Sequence, residues 1–211
     1  MSIVEKQGGE VVILTVGKAE AVSTIRSALA MGAHRAILVK TETQFLDSSL
    51  TAKALKSAIE QDGLPDIIFT GKGSVDTESF QTQYRLARSF DIPIVNEVST
   101  LNIEGDKAVA QRETGGGEKQ VIELSLPCVI GATKGLNEPR YPKFPDIMKA
   151  KKKEIKEIEL SALDIDSSSE KVSLVKLEII SERSGAKILE GSVDDQVNEL
   201  INILKEKEKV I

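Results

Sequence analysis

Short apolar runs alternate with helix-length apolar stripes through the first half of the chain, and this alternation limits the fold more than any other feature. Glu10–Val16 is a nearly continuous apolar run, as expected of a strand buried on both faces. Gly17 and Lys18 break it, and Ala19–Met31 then sets Val22, Ile25 and Leu29 on one helical stripe that Gly32 stops. Ala36–Val39 is a second apolar run. Leu50–Ile59 is helical, with Leu50, Ala54, Leu55, Ala58 and Ile59 forming the buried stripe, and Gly63, Leu64 and Pro65 end it. Asp66–Thr70 is a third strand of the buried type, and a further helix fits Glu78–Ser89. Strands and helices alternating at this spacing imply right-handed βαβ crossovers and a parallel sheet. Ligands of such sheets bind at the carboxyl ends of the strands, so the turns Val16–Glu20 and Gly71–Thr82 are expected on one rim.

The pattern changes after Pro93. Val98–Ile103, Lys107–Glu113 and Glu118–Leu126 alternate like strands of a hairpin or meander, turned by Glu104-Gly105-Asp106 and by Thr114–Gly117. Cys128–Ala132 returns to a small apolar strand, Arg140–Pro145 is turn-rich, and Asp146–Glu154 opens a short helix. Ser167–Ser169 reads as a connector and Lys171–Ile180 as an alternating edge strand. Ser192 and Asp195 form a capping-box start to a last helix carrying Val197, Leu200, Ile201 and Leu204 on one face. The division expected is an α/β domain over 1–160 and a C-terminal extension over 161–211.

Composition removes several function classes. Aromatic residues are 3% of the 211 and Trp is absent, which leaves few rings for stacking on single-stranded nucleic acid or sugars. A net charge of −5 gives no global attraction for phosphate backbones, so no nucleic-acid partner is expected. The single cysteine, Cys128, excludes an internal disulfide framework and a multi-cysteine metal site; after Pro127 it reads as a small buried hydrophobe. No run approaches the ~20 apolar residues that cross a bilayer, so direct membrane insertion is not expected. The N-terminus has neither a signal-peptide core nor an Arg-rich presequence, which favours a bacterial cytoplasm, with a processed mitochondrial matrix protein as the alternative. The one histidine, His34, has no carboxylate motif beside it and reads as structural. Asp194-Asp195 read as helix capping, and Gly115–Gly117 as a turn between strands. No catalytic constellation, Walker A sequence or GxGxxG is present, so the chain is not expected to be an enzyme by itself.

Two segments are more suggestive. In Gly71–Thr82 the glycines Gly71 and Gly73 permit close backbone approach and Lys72 adds charge, while Asp76 to Thr82 offer polar groups ahead of a helix. Amide groups at a helix N-terminus suit a phosphate, although an ordinary βα loop explains the segment about as well. The second is Leu136-Asn137-Glu138-Pro139-Arg140-Tyr141-Pro142-Lys143-Phe144-Pro145, followed by Ile147, Met148, Lys149, Lys151, Lys152 and Lys153. Three prolines within seven residues reduce the freedom lost on binding. An apolar tip beside cationic residues suits protein docking, the apolar group anchoring and the charges steering.

That segment, LNEPRYPKFPDIMKAKKK, with the preceding ETGGGEKQVIELSLPCVIGAT, resembles the signature region of electron-transfer flavoprotein β-subunits, especially the mitochondrial-type, non-bifurcating branch. IRSALAMGAHRAILV and GKGSVDTESFQT are similar to the second and third βα units of the same family, so the resemblance covers nearly the whole chain. It implies an α/β fold: a Rossmann-like parallel sheet of the adenine-nucleotide α-hydrolase type, with an antiparallel hairpin and a C-terminal strand–helix extension packing on a partner.

The resemblance further implies a heterodimer with a larger α-subunit that carries most of an FAD, while the β-subunit holds a structural AMP. Electrons would pass from acyl-CoA dehydrogenases to a quinone oxidoreductase. The family's recognition loop maps onto 132–154, with its anchoring leucine at Phe144, here a larger aromatic. The docking residues implied are Leu136, Asn137, Glu138, Pro139, Arg140, Tyr141, Phe144, Pro145, Ile147, Met148, Lys149 and Lys152, the two lysines matching positions methylated in some members. The acidic residue tied to release of the mobile flavin domain falls at Glu113. The AMP residues implied are Val16, Gly17, Gly71, Lys72, Gly73, Asp76, Gln81 and Thr82. The loop departs from the family at Phe80, where a polar residue is common, and at Gln83, where glycine is usual. The family also runs through a first strand and most of a first helix, about 45 residues, before the point matched by Met1, and Met1–Gly8 resembles the tail of that helix. An incomplete AMP site and an exposed sheet are therefore expected. Two further readings stay open: a bifurcating β-subunit with a second FAD in place of AMP, which the docking segment opposes, and a stand-alone adenine-nucleotide-binding protein akin to universal stress proteins.

Overall fold

The structure is a computed structural model that describes residues 1–43, 45–165, 171–179 and 185–210. It divides into two units, Met1–Leu174 and Val175–Ile211. In the first, α1 (Ser2–Gln7), β1 (Val12–Gly17), α2 (Ala21–Ala30), β2 (Arg35–Lys40), α3 (Ser48–Asp62), β3 (Ile67–Thr70) and α4 (Thr82–Phe90) alternate as the periodicity predicts. There follow β4 (Ile94–Glu104), β5 (Lys107–Gly115), β6 (Glu118–Ser125), β7 (Cys128–Ala132), α5 (Phe144–Ala150) and β8 (Ile155–Glu159).

The eight strands form two sheets, ordered β1-β2-β8 and β3-β7-β4-β5-β6. The first is wholly parallel. In the second, β3 and β4 run parallel to β7, and β4-β5-β6 form the expected antiparallel meander. This is the mixed α/β architecture expected from the sequence.

Burial follows pairing. β2 and β7 have neighbours on both sides, and Ala36–Val39 and Cys128–Ile130 are at most 2% exposed. β1 and β3 each end their sheet, and there the expectation of strands buried on both faces fails. Every residue of β1 is half-buried, and Phe69 of β3 is 50% exposed. An edge strand lacks the side neighbour that would cover its flank, however apolar its sequence. The two sheets nevertheless share a helical layer: Ala52, Ile59 and Leu86 of α3 and α4 form a buried cluster against Leu14 of β1 and Ile68 of β3.

Other expectations need correction. Helix α4 begins at Thr82 rather than Glu78, because Glu78 and Phe80 hold left-handed backbone, φ 47° each, which a helix cannot accommodate. Strand β8 has no counterpart in the sequence reading. Of Ile-Lys-Glu-Ile-Glu only Ile158 is buried, too little to show a period, yet the segment pairs with β2 from Ala36 to Lys40. The alternating stretch expected as an edge strand carries no strand assignment over 171–179, because no other strand pairs with it among the described residues; Ile180 and Ser167–Ser169 lie outside them. In the second unit α6 (Val193–Asn202) starts at the expected capping box: Asp195 N–H donates to Ser192 Oγ at 3.3 Å, and Ser192 N–H to Asp195 Oδ2 at 3.2 Å. Its apolar face, with Val197, Leu200 and Ile201, is exposed within that unit.

His34 and Cys128 take the structural places expected of them. His34 Nδ1 accepts from Val11 N–H at 3.0 Å, tying the start of β1 to the turn before β2. Cys128 is fully buried, and burial pushes its thiol pKa up, away from thiolate chemistry.

Candidate functional site

Both candidate regions lie at strand ends in the first unit. Val16, Gly17 and Lys18, where β1 ends, line a cavity of about 610 Å³ together with Ser74 from the loop after β3. The turns after β1 and β3 therefore share one rim. Thr41, Thr43, Leu46 and Thr51 complete this lining, and the sequence reading passed over all four. The strand-end rule applied equally to β2, which ends at Lys40, would have found Thr41 and Thr43. A second cavity of about 480 Å³ adjoins it, lined among others by Thr70, Gly71, Gly73, Phe80, Gln81, Thr82 and Gln83. Thr70 Oγ1 is buried there without a hydrogen-bond partner among the described residues.

Residues 71–80 are exposed, yet their groups are engaged with one another and with the strand ends. Lys72 Nζ lies 2.6 Å from Glu97 Oε1, and that carboxylate holds the ammonium pKa above its ordinary value. Gln83, only 3% exposed, donates from Nε2 to Lys72 O at 2.9 Å. The Phe80 ring packs on Gly73 so closely that a Cβ there would stand 2.3 Å from Cδ1. Gln81 Oε1 accepts from Arg85 Nη2 at 2.7 Å, while Asp76 N–H donates to Ser74 Oγ. Phe80 and Gln83 thus both act on the Lys72-Gly73 pair.

Glu97 reaches Lys72 because β4 bulges against β7. It pairs with β7 through Val95, shifts register across Asn96-Glu97, and resumes at Val98. Glu97 there has φ 61°, a strained conformation for a non-glycine residue. Asn96 turns inward, 8% exposed, with Oδ1 unpartnered among the described residues and in the space where a Cβ on Gly131 would sit, 2.1 Å away.

The docking region is organised differently. Leu136, half-buried, packs against the core cluster of β4 to β7 and roots the segment. Asn137, Glu138, Pro139, Arg140 and Pro145 are exposed. Tyr141 is 92% and Phe144 75% exposed, with Ile147 and Met148 on the adjoining turn of α5. Asp146 Oδ2 accepts from Lys143 N–H at 3.3 Å and Pro145 occupies the first turn, so the helix starts firmly just at the apolar tip.

The base is clamped. Arg26 Nη1 of α2 donates to Ala150 O at 2.7 Å and Lys153 O at 2.5 Å, and Lys153 Nζ donates back to Leu29 O at 2.9 Å and Ala33 O at 2.6 Å. Lys153 therefore separates from the lysine cluster as a cap on α2, while Lys149, Lys151 and Lys152 are exposed. Arg140 makes a two-pronged contact with Glu5 of α1, at 2.6 and 3.0 Å. Glu113 is exposed near the end of β5, in register with Lys119 of β6, and so belongs to neither cluster.

Residues 1–163 match the family described as "Electron transfer flavoprotein domain". The chain is 36% identical to "Electron transfer flavoprotein subunit beta" of Bacillus subtilis (strain 168), over 98% of its own length and 81% of the relative. It is 36% identical to "Electron transfer flavoprotein subunit beta, mitochondrial" of Arabidopsis thaliana, over 96% and 78%. It is 37% identical to the human "Electron transfer flavoprotein subunit beta", over 88% and 72%. No helix among the described residues is long and apolar enough to cross a membrane. On the strength of these matches, over an α/β fold of the expected kind, the chain belongs to the electron transfer flavoprotein family and is similar throughout to its β-subunits.

Proposed function

We propose that this chain is the β-subunit of a heterodimeric, non-bifurcating electron-transfer flavoprotein acting in the cytoplasm. With a larger α-subunit carrying most of the FAD, it conveys electrons from acyl-CoA and related dehydrogenases to a quinone oxidoreductase. It has no catalysis of its own. The observation that carries this reading is the docking segment: Tyr141 and Phe144 stand clear of the fold, flanked by exposed Lys149 and Lys152, on a base held by Leu136, Arg26 and Lys153. A rigid base under an apolar tip lowers the entropic cost of docking, and the rim cations steer the encounter. In this reading Glu113, exposed on the β5–β6 ribbon, acts in release of the mobile flavin domain.

The cavities at the strand ends suit the phosphate and ribose of AMP. Gly71 leaves open space where a Cβ would stand, the first amides of α4 follow Gln81, and Lys72 supplies a cation. The orphaned Thr70 hydroxyl is a ready partner for a polar ligand group. Val16 and Gly17 line the first cavity, and Gly73 and Thr82 the second, on the loop side. AMP would do no redox chemistry there. The C-terminal region, 161–211, offers the bare apolar face of α6 to the α-subunit.

Co-expression with the α-subunit from the same genome tests the reading. The expected result is a heterodimer with one FAD, reduced by an acyl-CoA dehydrogenase with its substrate. Absence of a flavin-containing complex, or two flavins per heterodimer, would overturn it.

A further inference from the structure

The ion pair between Lys72 and Glu97 has no role in holding the sheets together, since both side chains are substantially exposed, at 55% and 39%. Its cost lies elsewhere: Glu97 occupies a left-handed conformation at a register break, φ 61°, which places its carboxylate beside the loop after β3. The lysine it meets is held at its own backbone, where Gln83 of the first turn of α4 bonds Lys72 O at 2.9 Å. The Lys72 backbone is therefore fixed beside the helix start while its ammonium is bound to a carboxylate of the same chain. A phosphate drawn to the α4 amides and to Lys72 must compete with Glu97 for that ammonium.

We propose that Glu97 is a built-in competitor for the phosphate group at Lys72, a residue that sets how tightly the strand-end site takes an anion. This rests on the reading of Gly71–Thr82 as the nucleotide loop and adds a control to it. An anionic ligand and Glu97 present the same chemistry, an oxygen-borne negative charge within hydrogen-bond reach of one ammonium, so the two compete for its charge and its N–H donors. The bulge makes this possible: with a regular ladder through Asn96 and Glu97, the side chain of residue 97 would stand on a sheet face. Neutral ligands, or ligands bound only through ribose and base, would not feel Glu97.

The test uses the heterodimer with the α-subunit, stripped of nucleotide, and calorimetric titration with AMP, adenosine and inorganic phosphate. Glu97→Gln keeps the shape and is expected to bind AMP about two- to fivefold more tightly, the range of one partly exposed ion pair. Adenosine affinity should not change. Lys72→Ala should weaken AMP, and Glu97→Gln in the Lys72→Ala background should bring no gain. If Glu97→Gln binds AMP no better than the parent while Lys72→Ala weakens it, competition is refuted and the nucleotide loop stands. An equal gain in both backgrounds would make the effect simple charge repulsion and also refute competition. If Lys72→Ala binds AMP like the parent, the ammonium does not meet the phosphate and the proposal fails. No AMP binding by either parent or Glu97→Gln would remove the nucleotide reading itself, and the proposal with it.

Discussion

The loop after β3 and the segment after β7 are both exposed, but their functional groups are in opposite conditions. In Gly71–Thr82 the cation, the aromatic ring and Gln81 all have partners inside the chain: Lys72 with Glu97, Phe80 on Gly73, Gln81 with Arg85. In the docking segment the strong internal contacts lie at the base, through Leu136, Arg26 and Lys153, and the tip residues Tyr141 and Phe144 are bare. Solvent exposure alone does not distinguish these cases. A group that already has a partner must exchange it to bind, so its net gain is small; a bare apolar side chain on a rigid base gains its full burial.

The comparison can be tested at its joint first. Gly131 lies one residue before the end of β7, close to the docking segment, and a Cβ there meets Asn96 Oδ1 at 2.1 Å and Asn96 Cα at 3.0 Å. Gly131→Ala should therefore lower stability by about 1–3 kcal/mol, read from urea unfolding, because the backbone must move as well as the amide. Adding Asn96→Ala should recover part of this; no recovery would show that the crowding is not at Asn96.

At the docking tip, Phe144→Ala should slow dehydrogenase-dependent flavin reduction about tenfold or more while the heterodimer still purifies intact. Unchanged kinetics would remove Phe144 as the anchor. Lys149→Ala and Lys152→Ala should each reduce the association rate only a few-fold and flatten its dependence on salt, with the same limiting rate at saturation. Lys153→Ala should behave differently from both, lowering thermal stability with its loss of two carbonyl contacts.

The smallest effect expected is at the Arg140–Glu5 contact. The Arg140 guanidinium holds the Glu5 carboxyl below its ordinary value of 4.5. A depressed carboxyl pKa contributes stability that is complete above the unfolded value and disappears as pH falls through the folded one. The contact should therefore be constant from neutrality down to about pH 5 and be lost below the ordinary value. Limited proteolysis of residues 132–143 at descending pH reads this. Glu5→Gln should abolish the pH step with no measurable change in melting temperature, as befits an exposed pair.

Much of this was legible in the sequence. The alternation of apolar runs and helical stripes, the meander turns at Gly105 and Gly115–Gly117, the capping box at Ser192 and the exposed aromatic tip were all read from local pattern. Strand β8 was not, since its two isoleucines show no period and its place is set by pairing with β2, more than a hundred residues away. Nor was the purpose of Gln83 and Phe80, which read only as departures from a family loop until their contacts with Lys72 and Gly73 were seen.

The sequence by itself determined most of the strands and helices of the first 150 residues and where an apolar, lysine-flanked tip emerges, because periodicity, proline and capping act over a few residues. Tertiary structure alone decided that apolar β1 and β3 are sheet edges, that Lys153 is a cap rather than a docking charge, and that Lys72 is met by Glu97. Each of those depends on which distant backbone lies alongside, and a strand's own side-chain pattern does not name its neighbour.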